Sequence, residues 1–261
     1  MSRSDDLKRI MEGLKAAAEA VAPFEPGNVA FQRKEARGDP VTAADEAADE
    51  VLREILPRAG EGWLSEESVD DPLRLECRRV WVVDPIDGTR EFIEGIPEWC
   101  VSIGLLEEGV PVAGGIYNPA TDELVLGSLE DGVTLNGEPA TVTRPDLGDR
   151  ISVLASRSEI RRGEWDRFQN GRFDVRPCGS VAYKLGLVAA GLADATWTLV
   201  GKSEWDVAAG TALVRAAGGR VTLASGEEPV FNKPRPVFPD FVAAGPEVVE
   251  AAVGEWFGAR R

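Results

Sequence analysis

Residues 80–90, VWVVDPIDGTR, join a run of valine and tryptophan to two aspartates. The apolar run predicts a strand in the core, with Asp84 held rigidly at its end. Pro85 limits the turn that follows, so Asp87 returns towards Asp84 while Ile86 can offer its carbonyl. Two carboxylates forced together repel unless one is protonated or a cation lies between them. A divalent cation is the simpler explanation.

The same motif has a second interpretation. Gly88 and Thr89 can begin a short helix that runs through Arg90 to Ile93, and free N–H groups at its start suit a phosphate. An aspartate-rich turn that only caps this helix would also account for the two acids. The motif alone favours the metal site but leaves the cap open.

Composition narrows the chemistry that such a site can use. The chain has 261 residues and no histidine, which excludes Ser-His-Asp and Cys-His catalysis, phosphohistidine phosphatases and histidine-ligated zinc hydrolases. Its three cysteines, Cys77, Cys100 and Cys178, form no CxxC pair and are expected to be reduced thiols. Any reaction must therefore use carboxylates, hydroxyls, backbone groups, Lys, Arg or a hard metal ion held by oxygen.

A formal net charge of −16 bears on partners and location. An acidic surface repels phosphate backbones and anionic lipid, so neither nucleic acid nor a membrane is an expected partner. The first twenty residues carry acids and bases at helical spacing without a continuous apolar run, which predicts neither a secretory signal nor a membrane span. We therefore expect a cytoplasmic location.

Hydrophobic periodicity predicts an α/β (α+β) protein. A helix over 4–21 is expected to begin at the N-cap Ser4, and a second helix is expected between Thr42 and Pro57. Over 80–136, short β-rich runs separated by Glu-Gly, Asn-Pro and Asp-Gly turns predict a largely antiparallel sheet.

The second half of the chain changes character, because the strand-like ISVLAS, ATWTLV and RVTLAS alternate with helices that end at Gly191 and Gly218. We find no linker or repeat between the halves. A single catalytic domain over 1–261 is therefore expected, with a metal-binding α+β half at about 1–144 and an αβ half at about 145–261. The two halves would share one crevice.

Three further acids have both a functional and a structural interpretation. Glu66 in WLSEES could be a solvated turn acid, and Asp206 in SEWDVAAG could be a favourable charge at a helix N-terminus. Asp45 lies three residues after Thr42, an arrangement typical of a capping box. On spacing alone, the cap is preferred for Asp45.

Taken in order along nearly the whole chain, PVTAAD, LSEES, WVVDPIDGT, LNG, the Gly179-Ser180 pair and WDVAAG resemble the inositol monophosphatase superfamily. These proteins are lithium-sensitive, magnesium-dependent phosphomonoesterases. The resemblance implies the layered αβαβα sandwich of the inositol monophosphatase and fructose-1,6-bisphosphatase type. It also implies two or three Mg²⁺ ions, a small phosphorylated substrate and hydrolysis by a metal-activated water, and Mg²⁺ suits the oxygen ligands of this chain.

The resemblance implies roles for individual residues. The implied metal ligands are Glu66, Asp84, Asp87, Asp206 and the carbonyl of Ile86. Asp45 and Thr89 match a hydrogen-bonded pair of the family, a role then preferred over the Asp45 cap, and Glu66 and Thr89 would position and deprotonate the water. Gly88 and Thr89 would donate backbone N–H groups to the phosphate. The other implied substrate-binding residues are Asp87, Gly179, Ser180, Lys184 and Asp206.

The continuation DGTREF separates branches of this superfamily. It is closer to the DGTKEF of 3'(2'),5'-bisphosphate nucleotidases than to the Thr-Asn-Phe that usually follows DGT in inositol monophosphatases. Lys184 lies where the nucleotidase branch also tends to carry a lysine, and a second phosphate would favour that cation, although a surface lysine is the commoner alternative. PVTAAD and LSEE favour the same branch. The resemblance thus implies hydrolysis of 3'-phosphoadenosine 5'-phosphate to AMP, with inositol or sugar monophosphates and fructose 1,6-bisphosphate as alternatives.

Two further expectations depend on the resemblance. A non-catalytic regulatory binding protein stays as an alternative from another class. Every implied metal and water-positioning residue is intact, however, which favours an enzyme. A homodimer is expected solely because dimers are frequent among the proteins that this chain resembles.

Overall fold

The computed structural model describes residues 2–34, 39–146, 148–168, 171–198 and 200–257. Within these ranges the chain forms the following α-helices, numbered in order: α1 (Arg3–Val21), α2 (Ala43–Ile55), α3 (Thr89–Glu94), α4 (Arg157–Arg161), α5 (Val181–Ala189), α6 (Glu204–Ala216) and α7 (Pro246–Phe257).

The strands of the same ranges are β1 (Phe31–Arg33), β2 (Pro40–Thr42), β3 (Gly62–Ser65), β4 (Arg79–Asp87), β5 (Cys100–Glu107), β6 (Val110–Asn118), β7 (Glu123–Ser128), β8 (Gly132–Leu135), β9 (Glu138–Ala140), β10 (Ile151–Ser156), β11 (Phe173–Cys178), β12 (Ala195–Thr198), β13 (Lys202–Ser203), β14 (Arg220–Thr222), β15 (Val237–Phe238) and β16 (Phe241–Ala244).

Two sheets and three helical layers alternate through the molecule. Helices α1 and α2 pack on one face of a seven-stranded sheet of order β3-β4-β5-β6-β7-β8-β9. Helices α5 and α6 lie between that sheet and a five-stranded sheet of order β11-β10-β12-β16-β14. Helices α4 and α7 contact the five-stranded sheet, and α7 packs on its outer face. The layered αβαβα sandwich is confirmed.

The antiparallel sheet predicted over 80–136 is also confirmed, since β4 to β9 pair antiparallel in sequence order and only β3 joins β4 in parallel. The two sheets fall on either side of residue 145, but their behaviour as separate subdomains stays a prediction. No helix of the described residues is long and apolar enough to cross a membrane.

The start of α1 differs from its prediction. Its N-cap is Ser2, whose Oγ accepts a hydrogen bond from the Asp5 N–H at 3.3 Å, and Ser4 lies inside the helix. The earlier start places Asp5 and Asp6 in the first turn, where negative charge interacts favourably with the helix dipole. Ser4 as the N-cap was therefore wrong.

Strands β11 and β16 complete the second sheet and have no counterpart in the prediction. Strand β11 contains Pro177 and is largely exposed, as suits an edge strand that needs few backbone donors. Strand β16 is short and fully buried, so it lacks the alternation that identifies a strand. Leu199, within the predicted run ATWTLV, lies outside the described residues.

The most consequential difference lies in β4. We predicted that the strand ends at Asp84, but it continues to Asp87 with an irregular register in which Asp84 pairs with Ser102 and Asp87 with Cys100. The chain thus advances by three residues on β4 but by only two on β5, so β4 contains one extra residue, a β-bulge. Pro85 is tolerated there because a bulge does not need its missing N–H.

The bulge decides which way the acids of β4 face. In a regular strand, residues three apart point to opposite faces. Val82 packs on the α6 side and Val83 on the α1 side, yet Ile86 joins the cluster of Val83 rather than that of Val82. One extra residue has therefore reversed the alternation. Asp84 and Asp87 consequently lie on the same side of the sheet, facing α6.

Candidate active site

A cavity of about 1240 Å³ lies over the end of β4. Most residues that the sequence predicted as functional line it, namely Glu66, Ile86, Asp87, Gly88, Thr89, Gly179, Ser180, Lys184 and Asp206. The carboxyl groups of Asp84 and Asp45 are buried, with residue exposures of 1% and 0%. The fold thus gathers acids that are up to 161 positions apart in the sequence, from Asp45 to Asp206.

An acidic cluster forms where β3, β4 and α6 meet. Among the described residues, Glu66, Asp84 and Asp206 each offer one carboxylate oxygen, and these oxygens lie within 4.8 Å of one another. Glu66 is placed by the parallel pairing of β3 and β4, since its N–H donates to the Val83 carbonyl at 3.3 Å. Asp206 is fixed in the first turn of α6, where its Oδ2 accepts the Ser203 N–H at 2.8 Å.

The cluster holds more negative charge than its surroundings neutralise. Burial, followed by the charges of Glu66 and Asp87, raises the pKa of Asp84 well above its ordinary value. Burial, followed by the charges of Asp87 and Glu66, raises the pKa of Asp206 to about 8. Asp84 Oδ1 is buried and has no hydrogen-bond partner.

These observations test whether the residues fit a metal ion. A buried carboxylate oxygen without a partner is costly, and a divalent cation beside it would remove both that cost and the repulsion between the acids. Mg²⁺ binds oxygen ligands in an octahedral arrangement, and every donor here is an oxygen. The acidic cluster fits Mg²⁺.

Asp87 lies beside the cluster and is held from the opposite side. Its Oδ2 accepts a hydrogen bond from Ser180 Oγ at 2.7 Å and another from the Ala182 N–H. Burial raises the pKa of Asp87, although these hydrogen bonds act in the opposite direction. Asp87 therefore links β4 to the start of α5, and its other oxygen is not used in these bonds.

Asp45 and Thr89 form the hydrogen-bonded pair that the resemblance implied. Thr89 Oγ1 lies 3.1 Å from Asp45 Oδ1 and 3.1 Å from the Ile86 carbonyl oxygen. Asp45 Oδ2 meanwhile accepts the Thr42 N–H at 2.8 Å and the Thr42 hydroxyl at 2.6 Å, which completes the capping box of α2. The two interpretations of Asp45 were not alternatives, because each carboxylate oxygen serves one of them.

Gly88 is required by the backbone at the start of α3. Its φ is 98°, in the left-handed region, and a Cβ there would lie 2.9 Å from the Glu98 carbonyl oxygen. No other residue fits this position without displacing the backbone.

The turn at 178–180 holds Lys184 firmly. Lys184 is 3% exposed, and its ammonium donates to the carbonyls of Cys178, Gly179 and Ser180. An ammonium has three donors, so these three carbonyls can engage all of them. Burial lowers the pKa of Lys184, while the nearby carboxylate of Asp87 opposes that effect. Lys184 supports the turn that carries Ser180.

Sequence reasoning did not assign a role to Lys34 or Glu67. Lys34 Nζ lies 2.8 Å from Glu66 Oε1 and 2.7 Å from Glu67 Oε1. Burial raises the pKa of Glu67 to about 7 despite its bond to Lys34. The adjacent Glu66 and Glu67 in LSEES were a signal that a cation would be needed, but no spacing pointed to Lys34.

Comparisons with known proteins show to which family the chain belongs. A model of the inositol monophosphatase family matches residues 6–254. The chain is 36% identical over 228 residues to an inositol-1-monophosphatase of Mesorhizobium japonicum, covering 83% of this chain and 82% of that relative.

Solved structures show the same similarity. The IMPase of Thermotoga maritima has a TM-score of 0.81 at 26% identity, covering 98% of this chain and 99% of its own. CysQ of Bacteroides thetaiotaomicron, a bacterial member of the inositol monophosphatase family, has a TM-score of 0.75 at 30% identity, covering 92% and 97%. This chain therefore belongs to the inositol monophosphatase family, whose members are phosphatases that hydrolyse phosphomonoesters.

Proposed function

We propose that this phosphatase works with Mg²⁺ bound at Glu66, Asp84 and Asp206. The observation that supports this most strongly is the buried Asp84 Oδ1, which has no hydrogen-bond partner and lies among other carboxylates that cannot donate to it. In the proposal, Asp87 and the Ile86 carbonyl extend the set so that two or three ions can bind. Mg²⁺ held there would supply a Lewis acid for the phosphoryl group and would lower the pKa of a bound water.

The chain's own residues would orient the attacking water. Thr89 has one hydroxyl proton and two acceptors at 3.1 Å, so when it donates to Asp45 its oxygen can accept a hydrogen from a water in the cavity. Burial raises the pKa of Asp45, which brings this carboxylate closer to the pH at which a base is effective. Glu66, on the cavity wall, would hold the same water from another direction.

The scissile phosphate would lie against the backbone at Gly88 and Thr89, which line the cavity. In the same proposal, Gly179, Ser180 and Asp206 bound the space for the rest of the substrate. A contact from Lys184 to that substrate would require one of its three carbonyl partners to be exchanged.

We further propose 3'-phosphoadenosine 5'-phosphate as substrate, with AMP and phosphate as products. Two observations support it: the continuation DGTREF, and a cavity of about 1240 Å³, which exceeds the range of roughly 300–1,000 Å³ common for small-molecule sites. Inositol 1-phosphate is the second candidate, because relatives such as the Mesorhizobium protein are named inositol-1-monophosphatases. Fructose 1,6-bisphosphate is a third.

The first experiment compares kcat/KM for 3'-phosphoadenosine 5'-phosphate and inositol 1-phosphate with Mg²⁺. A strong preference for the nucleotide is expected, and a preference for the inositol ester would overturn the substrate proposal. Asp87→Asn should abolish Mg²⁺-dependent phosphate release, whereas the exposed Asp149→Asn should leave it unchanged. Full activity in Asp87→Asn would remove the metal-site hypothesis.

We also propose a homodimer, solely because dimers are frequent among the proteins that this chain resembles, and a cytoplasmic location, which rests on the sequence. Light scattering coupled to size-exclusion chromatography would decide the first. A mass near 28 kDa instead of twice that value would reject the dimer.

A further inference from the structure

Three cations that line the active-site cavity take part in no salt bridge within the described residues. Arg161, Lys202 and Arg235 line the cavity, and we call them the basic wall. Within the described ranges, no salt bridge or hydrogen bond holds any of these three side chains. The other exposed arginines of the cavity differ, since Arg162 pairs with Glu164 at 2.7 Å and Arg90 pairs with Asp39 at 2.8 Å.

The lack of ion pairs at these three cations contrasts with the large excess of acids in the chain. The chain has 45 Asp and Glu against 29 Lys and Arg, so acids to pair with three cations are abundant. Cations that stay unpaired beside a catalytic cavity attract an anion from outside the chain. Charge-assisted hydrogen bonds from Arg or Lys to a phosphate are among the stronger polar contacts that a protein makes.

Lys202 and Arg235 both lie beside the start of α6, the helix that presents Asp206. Lys202 lies in β13, which pairs with β15 so that Lys202 opposes Phe238 and Ser203 opposes Val237. The Glu204 N–H then donates to the Pro236 carbonyl at 2.9 Å, next to Arg235. Lys202 is near enough to the acidic cluster for its charge to act against the raised pKa of Asp206.

The segment that leads to Arg235, residues 232–235, is fixed by hydrogen bonds to two buried side chains. Glu204 is fully buried, and its two carboxylate oxygens accept the N–H groups of Asn232 and Lys233 at 2.8 and 3.1 Å. The buried Arg74 donates to Asn232 Oδ1 at 2.7 Å and to the Lys233 carbonyl at 2.9 Å. A cation on such a segment binds a ligand at a lower cost in conformational entropy, because the loop that bears it is already ordered before binding.

Lys184 is less suited to that task, since three carbonyls can engage its donors. We infer that the basic wall binds a second anionic group of the substrate while the acidic cluster acts on the first phosphate. The substrate class is therefore a phosphomonoester that carries another phosphate. This inference rests on the proposed function, because it assumes that hydrolysis occurs at the acidic cluster.

The test uses a double variant, Lys202→Gln with Arg235→Gln, at saturating Mg²⁺. Four substrates separate the sources of the second anion: 3'-phosphoadenosine 5'-phosphate, fructose 1,6-bisphosphate, inositol 1-phosphate and p-nitrophenyl phosphate. We expect kcat/KM to fall about 100-fold for whichever bisphosphate the native enzyme prefers, mainly through KM, as roughly tenfold for each cation lost. The two monoesters should lose much less, because they carry a single phosphate and the acidic cluster that acts on it is retained. The loss that they share with the bisphosphates reports the effect of the Lys202 charge on Asp206.

The controls separate charge from shape. Arg162→Gln removes a cation that is already paired, so it should leave all four substrates nearly unchanged. Lys202→Arg with Arg235→Lys keeps both charges and should recover most of the bisphosphate activity. Equal losses on all four substrates, or no loss on a bisphosphate, would overturn the inference.

The proposed function fails in a different way. If the native enzyme releases no phosphate from any of the four substrates with Mg²⁺, the assignment of the acidic cluster as the Mg²⁺ site is wrong. If it hydrolyses the monoesters as well as either bisphosphate, the acidic cluster keeps its role and only the inference about the basic wall is rejected.

Discussion

Strand β4 carries charged residues at both ends, and the two ends differ in how that charge is neutralised. At its start, Arg79 contacts three acids: Glu61 at 3.0 Å, Glu107 at 2.7 Å, and Asp6. At its end, Asp84 and Asp87 face Glu66 and Asp206, and Asp84 Oδ1 has no partner. One end is a closed ion-pair network and the other is an excess of acid.

The pKa directions report the same difference. Although burial acts against it, hydrogen bonds from Arg9 and Trp81 lower the pKa of Glu61 at the start of the strand. At the other end, burial raises the pKa values of Asp84, Asp87 and Asp206. A buried acid whose pKa falls has found its partner inside the chain, whereas one whose pKa rises still lacks a cation. Within one strand, the direction of the pKa shift thus distinguishes the paired acids of the ion-pair network, or scaffold charge, from the acids at the end of β4, or site charge.

The largest expected effect comes from Asp84→Asn, which keeps the shape of the side chain and removes one negative charge. Phosphate release should fall at least about 100-fold, because a metal ligand is lost. The metal-free protein should nevertheless melt at a higher temperature than the native protein, since the repulsion within the acidic cluster decreases. Thermal melts with EDTA and with Mg²⁺ would check both effects, and a lower metal-free melting temperature would contradict this account.

The start of β4 should respond in the opposite way. Arg79→Gln leaves Asp6 and Glu61 with fewer partners, so the free energy of unfolding should drop by roughly 2–3 kcal/mol, less than for a fully buried pair because Arg79 is partly exposed. Urea unfolding would measure it, while kcat/KM per folded molecule should stay within about twofold.

A matched control lies one residue earlier. Arg78 pairs with Glu108 at 3.2 Å, but both side chains are more than two-thirds exposed. Arg78→Gln should therefore cost less than about 1 kcal/mol. Similar losses in Arg78→Gln and Arg79→Gln would show that the network at the start of β4 does not stabilise the protein.

The sequence predicted the site acids better than it predicted the scaffold charges. Asp84 and Asp87 were recognisable because acids directly after an apolar run conflict with burial. The network at the start of β4 was not, since Arg79 meets Asp6, Glu61 and Glu107 only through tertiary packing. Acids placed in an apolar run can be recognised in the sequence as a candidate site. Ion pairs between residues that are far apart in the sequence leave no such local pattern.

The bulge within DPID shows a second limit of prediction from the sequence. Its acids were expected to converge because of a turn, and they converge because one extra residue reverses the alternation of β4. Spacing alone does not distinguish these two routes, since Pro85 is compatible with both. Likewise, spacing gave Asp45 the role of a cap and the resemblance gave it a bond to Thr89, and only the geometry shows that one carboxylate fills both roles.

The pH dependence of the metal-free protein offers a third test. The pKa of Asp206 is raised to about 8 from an ordinary 3.8, so the folded state holds its proton more tightly than the unfolded state does. The resulting stability is complete below about pH 3.8 and is lost as the pH rises through 8. The melting temperature with EDTA should therefore fall between pH 6 and pH 9.

Added Mg²⁺ should reverse that loss, so the increase in melting temperature on adding the ion should be larger at pH 9 than at pH 6. In Asp206→Asn the fall between the two pH values should shrink. Equal Mg²⁺ effects at both pH values would show that protons and the cation do not compete for the acidic cluster.

Glu204 is expected to contribute little to catalysis although it lies next to the acidic cluster. It lies two residues from Asp206 and is fully buried, yet two backbone N–H groups satisfy its carboxylate. It should thus behave like the start of β4. Glu204→Gln should cost about 1 kcal/mol, because one amide hydrogen would face an N–H donor.

The same variant should leave Mg²⁺ affinity unchanged and raise KM for a bisphosphate only a few-fold, by loosening the segment that bears Arg235. Glu228→Gln, an exposed partner of Arg215 at 3.1 Å, is the control. Mg²⁺ titration followed by intrinsic tryptophan fluorescence would compare them. A clear loss of Mg²⁺ affinity in Glu204→Gln alone would mean that Glu204 also contributes to the metal site. Hydrogen bonds from backbone N–H groups would then not be enough to assign a buried acid to the scaffold.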